Sequence, residues 1–327
     1  MKFRPWGALE WTLSLSPKKN WFFLGALGTE QRSIASWKLL RECGVISAEL
    51  FAEIYDVFSD KYYHRNAAAL KERKDEFAKL GGNYSSIFNF DLMSELFQIN
   101  GIANKALQSK SVVLDITSFP KRFFFPILRA LAKSPTISNL LITYTSPAAY
   151  AEDAPLYEDI ESWKTLPGFG GGDSKADFWV VSVGFLVESL RRYVGDNPQD
   201  KMKLLIPFPA PLAALRRTWQ SVADLEQGHE DDRFDKYRVD TLDISAAFDR
   251  ITSIAGMPER ALAFAPFGPK PTSAAMCLYA MQRDSSVHYS QPTVYHPDYS
   301  KGIKNNSLES AVSAYWIKHD GEFLYAI

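Results

Sequence analysis

Hydroxyl and cationic side chains gather directly after an apolar run that ends near residue 116. The segment contains two hydroxyls and two cations around a proline: Thr117, Ser118, Pro120, Lys121 and Arg122. Hydroxyls, cations and the N–H groups at a helix start are groups that bind phosphate. Because cations at a helix start oppose the helix dipole, they indicate an anion between them. The alternative is that Thr117 or Ser118 only caps the helix and that Lys121 is solvated.

A second polar set follows the first apolar run of the chain. Gly25 and Gly28 would let the backbone approach a ligand closely. Thr29 and Arg32 could donate hydrogen bonds to an anion. The pattern is neither Gly-x-Gly-x-x-Gly nor a Walker A loop, so it does not specify a dinucleotide. A tight turn followed by a capped helix is an equal alternative.

The second half of the chain carries similar residues. Gly268, Lys270 and Thr272 surround the start of a predicted helix, and Gly184 follows an apolar run as Gly25 does. The ligand-binding residues that we predict are Gly25, Gly28, Thr29, Glu30, Arg32, Asp115, Thr117, Ser118, Lys121, Arg122, Gly184, Gly268, Lys270 and Thr272.

No recognisable catalytic set accompanies these residues, so binding is the first hypothesis and catalytic residues stay unassigned. An enzyme that uses the same pocket, such as a phosphodiesterase or a nucleosidase, is the second hypothesis. Glu30 or Asp115 would then be the acid or base. The five histidines have no metal-ligand spacing. We therefore predict neither a metal nor a cofactor.

Apolar runs of strand length alternate with amphipathic stretches along the whole chain, which is typical of an α/β fold with parallel strands. The predicted strands of the first half are residues 21–25, 50–55, 87–90, 112–116 and 140–144. Those of the second half are residues 178–184, 204–208, 238–242, 261–264 and 287–289. Residues 151–176 are a predicted linker, and Asp320-Gly321 is the predicted turn of a C-terminal hairpin.

A repeated motif indicates that the two halves are copies of one unit. Tyr144-x-x-Pro-x-x-Tyr150 and Tyr289-x-x-Pro-x-x-Tyr295 each follow the fifth predicted strand. A Pro-Lys pair follows each fourth strand. The predicted fold is α/β, with two tandem Rossmann-like parallel-sheet halves related by internal duplication. The boundaries are residues 1–165 and 166–327. The repeated tyrosines could stack on a base or pack a strand-to-loop corner.

The composition excludes several classes of partner. The net charge of −1 gives no global attraction for long nucleic acids or for an anionic membrane. Two cysteines, which we expect to be buried, cannot form a disulfide framework or a four-cysteine zinc site. The amino terminus lacks the apolar core of a secretory signal, and no apolar run approaches the ~20 residues that span a bilayer. We therefore predict a soluble, cytoplasmic protein.

The first polar segment resembles the ligand loop of CRISPR-associated Rossmann-fold (CARF) sensors. In both, a strand leads through Asp-x-Thr/Ser to a lysine and a helix. The resemblance rests on Asp115, Thr117, Ser118 and Lys121, and more loosely on Gly268, Lys270 and Thr272. This chain has Phe119-Pro120 where the family has glycines. Two such units in one chain resemble the SAVED sensors of bacterial antiviral defence, which are pseudo-dimers of CARF-like halves.

The resemblance implies a cyclic or linear oligonucleotide ligand at the junction of the halves. We find no room in the sequence for a fused effector domain, so output would pass through a protein partner. The first functional hypothesis is therefore a sensor of a nucleotide-like anionic ligand in a defence or signalling assembly. After the nucleotide-processing enzyme, the third hypothesis is a scaffold subunit of a larger complex.

Overall fold

The structure is a computed structural model that divides into two compact units. Unit 1 comprises Met1–Asp159 and Pro292–Leu324, and unit 2 comprises Ile160–Gln291 and Tyr325–Ile327. The residues that it describes are 3–16, 20–55, 61–150, 157–160, 162–171, 175–184, 188–197, 199–210, 212–229, 231–256 and 260–327.

The first part of the chain alternates strands and helices. Its elements are β1 (Trp6–Ala8), α1 (Leu9–Ser14), β2 (Trp21–Leu27), a 3₁₀ helix (Gln31–Ile34), α2 (Ala35–Glu42), β3 (Ile46–Tyr55), α3 (Tyr63–Lys79), a 3₁₀ helix (Tyr84–Ser86), β4 (Ile87–Asp91), α4 (Leu96–Ala106), β5 (Ser111–Asp115), α5 (Lys121–Lys133), β6 (Asn139–Thr145), β7 (Ala149–Tyr150) and β8 (Tyr157–Ile160).

The alternation then begins again in unit 2. Its elements are β9 (Lys164–Thr165), β10 (Phe178–Ser182), α6 (Glu188–Asp196), β11 (Met202–Pro207), α7 (Leu212–Glu226), a 3₁₀ helix (Asp231–Arg233), β12 (Phe234–Val239), α8 (Ile244–Ala255), β13 (Leu262–Pro266), α9 (Lys270–Arg283) and β14 (His288–Tyr289). The elements that follow are β15 (Pro292–Tyr295), β16 (Ser300–Lys301), a 3₁₀ helix (Lys304–Asn306), α10 (Leu308–Ala311), β17 (Val312–His319) and β18 (Glu322–Phe323).

The unit 1 sheet contains five parallel strands in the order β4-β3-β2-β5-β6. From β2 the chain adds strands towards one edge and then crosses to add β5 and β6 on the other side. The switch point of this doubly wound sheet therefore lies between β2 and β5. All residues of β2, β5 and β6 are buried, as expected for parallel strands that are covered on both faces.

The unit 2 sheet repeats this order. Its parallel strands run β12-β11-β10-β13, and Val287 forms a parallel bridge to Phe264 of β13. The switch point accordingly lies between β10 and β13. The α/β class with two Rossmann-like parallel sheets is confirmed, and the shared strand order is what an internal duplication predicts.

The C-terminal segment differs from the predicted division at residue 165. The segment Pro292–Leu324 returns to unit 1, because β17 pairs antiparallel with β6 on one side and with β1 on the other. All but the last residue of β17 are buried, so this strand extends the core of unit 1. The predicted hairpin is confirmed: β17 pairs with β18, and Asp320 and Gly321 adopt φ of 46° and 89° at the turn. In the predicted linker, residues 157–160 and 164–165 form short strands.

Aromatic rings fill much of the interior of both units. In unit 1, Trp37 and Phe51 lie 4.6 and 4.9 Å from the ring of Phe77. In unit 2, Trp179 lies 4.9 Å from both Tyr193 and His288. These aromatic residues are therefore used in packing.

The two cysteines, which were both expected to be buried, have different environments. Cys277 is buried as expected, but Cys43 is exposed because it lies at the end of α2, beyond its buried face.

Among the described helices, none is both long and apolar enough to cross a bilayer.

Candidate functional site

The loops after β2 and β5 meet at the switch point of unit 1. A Cβ atom placed on Gly28 would lie 3.5 Å from Cβ and 3.6 Å from Oγ of Ser118. Both residues are partly exposed, as is the neighbouring Thr29. In open parallel sheets, ligands bind at this position because the strands on either side lead to helices whose N-termini face outward.

Asp115, the last residue of β5, holds the loop in place. Its carboxylate is buried and accepts hydrogen bonds from the hydroxyls of Ser36, Thr117 and Thr143, and from the Thr117 N–H at 2.9 Å. Burial raises the pKa of the Asp115 carboxyl, and these hydrogen bonds act in the opposite direction. Because protein donors surround the carboxylate, Asp115 acts as a positioning residue.

Two hydroxyls near this loop lack a hydrogen-bond partner among the described residues. Thr117 Oγ1 also accepts a hydrogen bond from the Thr145 N–H at 2.9 Å, which joins the loop to the end of β6. In contrast, Ser118 Oγ and Thr145 Oγ1 have no partner in the part of the chain that the structure describes, although both oxygens are covered by protein. An unpaired buried hydroxyl is unfavourable and calls for a physical explanation.

Helix α5 begins immediately beyond the loop. Pro120 is its N-cap rather than its first residue, and Lys121 occupies the first turn, which contains no acidic residue. The side chain of Lys121 is largely buried, with 7% exposure. Arg122 instead donates from Nη2 to the carbonyl oxygens of Met93 and Ser94 at 3.1 Å, and so it ties α5 to the loop after β4.

Arg32 is fully engaged with protein. Its guanidinium donates to the carbonyl oxygen of Thr145 at 2.9 Å and to Ser300 Oγ at 3.2 Å, and it pairs with Glu30 at 3.1 Å. Burial alone would lower the pKa of Arg32, but Glu30 and Tyr144 raise it, and the net shift is upwards. The structure therefore uses Arg32 and Glu30 to hold the C-terminal segment against the loop after β2.

The sequence did not indicate the residues that the C-terminal segment adds here. Ser300 donates to Glu30 Oε1 at 2.5 Å, and Tyr299 packs edge-on against Tyr150 at 6.0 Å. Burial raises the pKa of both tyrosines. The pairing of β16 with β7 brings these residues to the site. No local motif could have found them, since Ser300 and Glu30 lie far apart in the chain.

The second tyrosine motif does not form a local unit like the first. Tyr144 and Tyr150 approach each other, with 3.5 Å between their hydroxyls. Tyr289 lies in unit 2, whereas Tyr295 lies in β15 of unit 1, 6.5 Å from Tyr299. Because the chain returns to unit 1 after residue 291, the two tyrosines of the second copy belong to different units.

The switch point of unit 2 is packed more closely. A Cβ atom on Gly184 would overlap the carbonyl oxygen of Phe267, and one on Gly268 would overlap Ser182 Oγ. Helix α9 starts at Lys270 after the N-cap Pro269, again without an acidic residue in its first turn. Lys270 is partly exposed, while Thr272 is buried with 1% exposure.

The structure thus divides the predicted ligand residues into groups. Gly28, Thr29, Ser118 and Lys121 lie around the β2–β5 switch point. Gly25 lies inside β2, where an added Cβ atom would come within 2.7 Å of the ring of Phe23. The residues that hold these loops are Glu30, Arg32, Asp115, Thr117 and Arg122. Gly184, Gly268, Lys270 and Thr272 belong to unit 2.

No family model matches the chain, and neither does any curated protein. Among solved structures, the chain is similar to a universal stress protein from Archaeoglobus fulgidus DSM 4304, with 10% identity, coverage of 83% of this chain and 96% of that chain, and a TM-score of 0.26. It is also similar to an N-terminal ketoreductase from the macrolactin assembly line, with 9% identity, coverage of 81% and 64%, and a TM-score of 0.21.

A C2-type ketoreductase from a modular polyketide synthase gives 14% identity, coverage of 84% of this chain and 67% of that chain, and a TM-score of 0.21. At these scores the three similarities carry no argument about function.

Proposed function

We propose that unit 1 binds a nucleotide-like anionic ligand at the switch point between β2 and β5, and that the protein is a binding module or sensor. One observation carries this proposal. The loop after β5 presents the start of α5, with Lys121 in its first turn and no acidic residue, beside the partly exposed Gly28 and Ser118. Helix N-termini with nearby cations favour phosphate groups.

The binding hypothesis fits these contacts better than the enzymatic alternative. Asp115 is surrounded by protein donors, and Glu30 is paired with Arg32 and Ser300. Neither carboxylate is presented for proton transfer to a ligand in this conformation. Ser118 Oγ, in contrast, has no hydrogen-bond partner among the described residues. It lies beside Gly28 of the loop after β2, at the position where the ligand would bind.

Within this class of ligands, an oligonucleotide is the first candidate, because the Asp115–Lys121 segment resembles the ligand loop of CARF and SAVED sensors. We propose a role in antiviral defence on the same ground, with a partner protein that receives the signal. A mononucleotide is the alternative ligand, and it would need only one phosphate site.

Calorimetric titration tests this proposal with a panel of mononucleotides, linear dinucleotides and cyclic oligonucleotides. We expect saturable binding of at least one compound, weakened about ten-fold or more by Ser118→Ala and by Lys121→Ala, since hydrogen bonds to charged groups contribute ~1.5–3 kcal/mol. Matched controls are Ser138→Ala, a partly exposed serine before β6, and Lys133→Ala in the last turn of α5. Binding that is absent, or equally sensitive to the controls, would contradict the proposal.

A further inference from the structure

Two buried hydroxyls mark the switch point of unit 2. Ser182, at the end of β10, and Thr272, in the first turn of α9, have exposures of 0% and 1%. Neither Ser182 Oγ nor Thr272 Oγ1 has a hydrogen-bond partner among the residues described. Ser290 Oγ of this unit is also without a partner among the residues described, whereas the buried Thr218 Oγ1 donates to the carbonyl oxygen of Ala214 at 3.0 Å.

The two hydroxyls lie at one helix start. A Cβ atom on Gly268 would overlap Ser182 Oγ, and Gly268 directly precedes the N-cap Pro269. Thr272 is the third residue of α9, within one helical turn of that cap. The first N–H groups of a helix have no acceptor within the helix, so Thr272 adds a backbone donor to the two hydroxyl donors.

The charge at this helix start favours an anion. Helix α9 has fourteen residues, Lys270 is its first, and its first turn contains no acidic side chain. The helix dipole adds positive potential at the same end. Hydroxyl donors, backbone N–H groups and a lysine form the set that binds phosphate oxygens in proteins.

We infer that the start of α9 is a second phosphate site, formed by Ser182, Thr272 and the backbone of Gly268, with Lys270 supplying charge. Its ligand is inorganic phosphate or the phosphate of a nucleotide. The inference is independent of the unit 1 site, because it rests on different residues. Gly268 covers Ser182 Oγ, so the ligand enters when the partly exposed loop Phe267–Pro269 moves away.

The decisive experiment is a titration with inorganic phosphate at constant ionic strength, followed by NMR through the backbone amide of Gly268. We expect a saturable shift of this resonance in the wild-type protein. Ser182→Ala and Thr272→Val should each raise the apparent Kd about ten-fold, as expected when a hydrogen bond to a charged group is lost. The control Thr218→Val, which removes a paired buried hydroxyl from α7, should leave the Kd unchanged.

Melting temperatures measured without phosphate show whether the Thr272 hydroxyl serves a ligand or only stabilises the fold. Thr272→Val should leave the melting temperature unchanged or raise it, because the hydroxyl that it removes is unpaired. Thr218→Val should lower the melting temperature. A Gly268 amide that does not respond to phosphate, or that responds equally in Thr272→Val, overturns the inference. A Thr272→Val melting temperature as low as that of Thr218→Val also overturns it.

Ser118→Ala distinguishes the two sites. It should leave the response of the Gly268 amide to phosphate intact, whether or not it weakens nucleotide binding by unit 1. A loss of the Gly268 response in Ser118→Ala would contradict the independence of the unit 2 site.

Discussion

Units 1 and 2 each start a helix at a Pro-Lys pair after the fourth strand of a doubly wound sheet. The backbone of the N-cap is nearly identical, with φ −58° and ψ 150° at Pro120, and φ −56° and ψ 149° at Pro269. The preceding loops differ. In unit 1 the buried carboxylate of Asp115 holds the loop, whereas in unit 2 the backbones pack closely through Gly184 and Gly268.

This difference shows that one helix start can be positioned by two kinds of interaction. A polar network fixes the unit 1 loop and leaves Gly28 and Ser118 partly exposed at the switch point. Glycine packing fixes the unit 2 loop but covers Ser182. We therefore expect a ligand to reach the unit 1 loop with no more than a rotation of the Ser118 side chain, whose Oγ is covered, and to reach unit 2 only when the loop after β13 moves.

The largest effect should come from removing the carboxylate of unit 1. We expect Asp115→Ala to lower the free energy of unfolding by about 3–5 kcal/mol, because it leaves the donors of Ser36, Thr117 and Thr143 buried without an acceptor. Pro266, the last residue of β13, offers the comparison in unit 2, where Pro266→Ala should cost about 1 kcal/mol. Urea unfolding measures both values, and equal losses would show that Asp115 does not organise the loop.

A smaller effect should come from filling the glycine contact of unit 2. Gly184→Ala places a methyl group against the carbonyl oxygen of Phe267, a backbone atom that cannot move alone. We expect the free energy of unfolding to fall by about 1–3 kcal/mol. Gly28→Ala makes only ordinary contact with Ser118, so its effect should stay within about 0.5 kcal/mol. Similar melting temperatures for the two variants would refute the difference in packing.

Two threonines of β6 test the polar network more finely. Thr143→Val removes a hydrogen bond of 2.9 Å to Asp115 and should lower the free energy of unfolding by about 1–2 kcal/mol. Thr145→Val removes a hydroxyl without a partner in the described structure, so stability should be unchanged or slightly higher. Thermal unfolding of the two variants side by side distinguishes them; a destabilised Thr145→Val would reveal a partner for that hydroxyl.

At neutral pH the smallest effect is that of His288, because its protonation changes the stability of unit 2 only in acid. Burial among Trp163 and Trp179 lowers the pKa of His288 to about 4. The unfolded chain binds a proton below about pH 6.5, whereas the folded chain does so only near pH 4. The stability of unit 2 should therefore fall as the pH falls through this range. His288→Phe should flatten this part of the profile in chemical denaturation, and an unchanged profile would contradict the assignment.

Most parallel strands of both units were predictable because they are continuous apolar runs bounded by polar turns. The predicted ends of the strands were less accurate. Strand β12 spans Phe234–Val239, whereas residues 238–242 were predicted, because its exposed charged residues obscure the apolar pattern. The N-terminal β1 and α1 were not predicted. Their three and six residues are too short for a periodic signal, and pairing with the distant β17 stabilises them.

The candidate site was predictable only in part. The start of α5, with Ser118 and Lys121, was visible as a local motif. The function of Asp115 was not, because its partners Ser36 and Thr143 are distant in sequence and meet only in the folded sheet. Likewise, Arg32 has the charge of a ligand-binding residue, but Ser300 and Thr145 occupy its donors.

Hydrogen–deuterium exchange with the tightest-binding nucleotide of the panel tests the central claim most directly. We expect protection of amides at Gly28–Glu30 and Ser118–Phe123, at the carboxyl edge of the unit 1 sheet. Residues Ser111 and Asn139, which begin β5 and β6 at the opposite edge, should not change. Protection confined to that opposite edge, or none in unit 1 at a saturating ligand concentration, would contradict a phosphate site at the β2–β5 switch point.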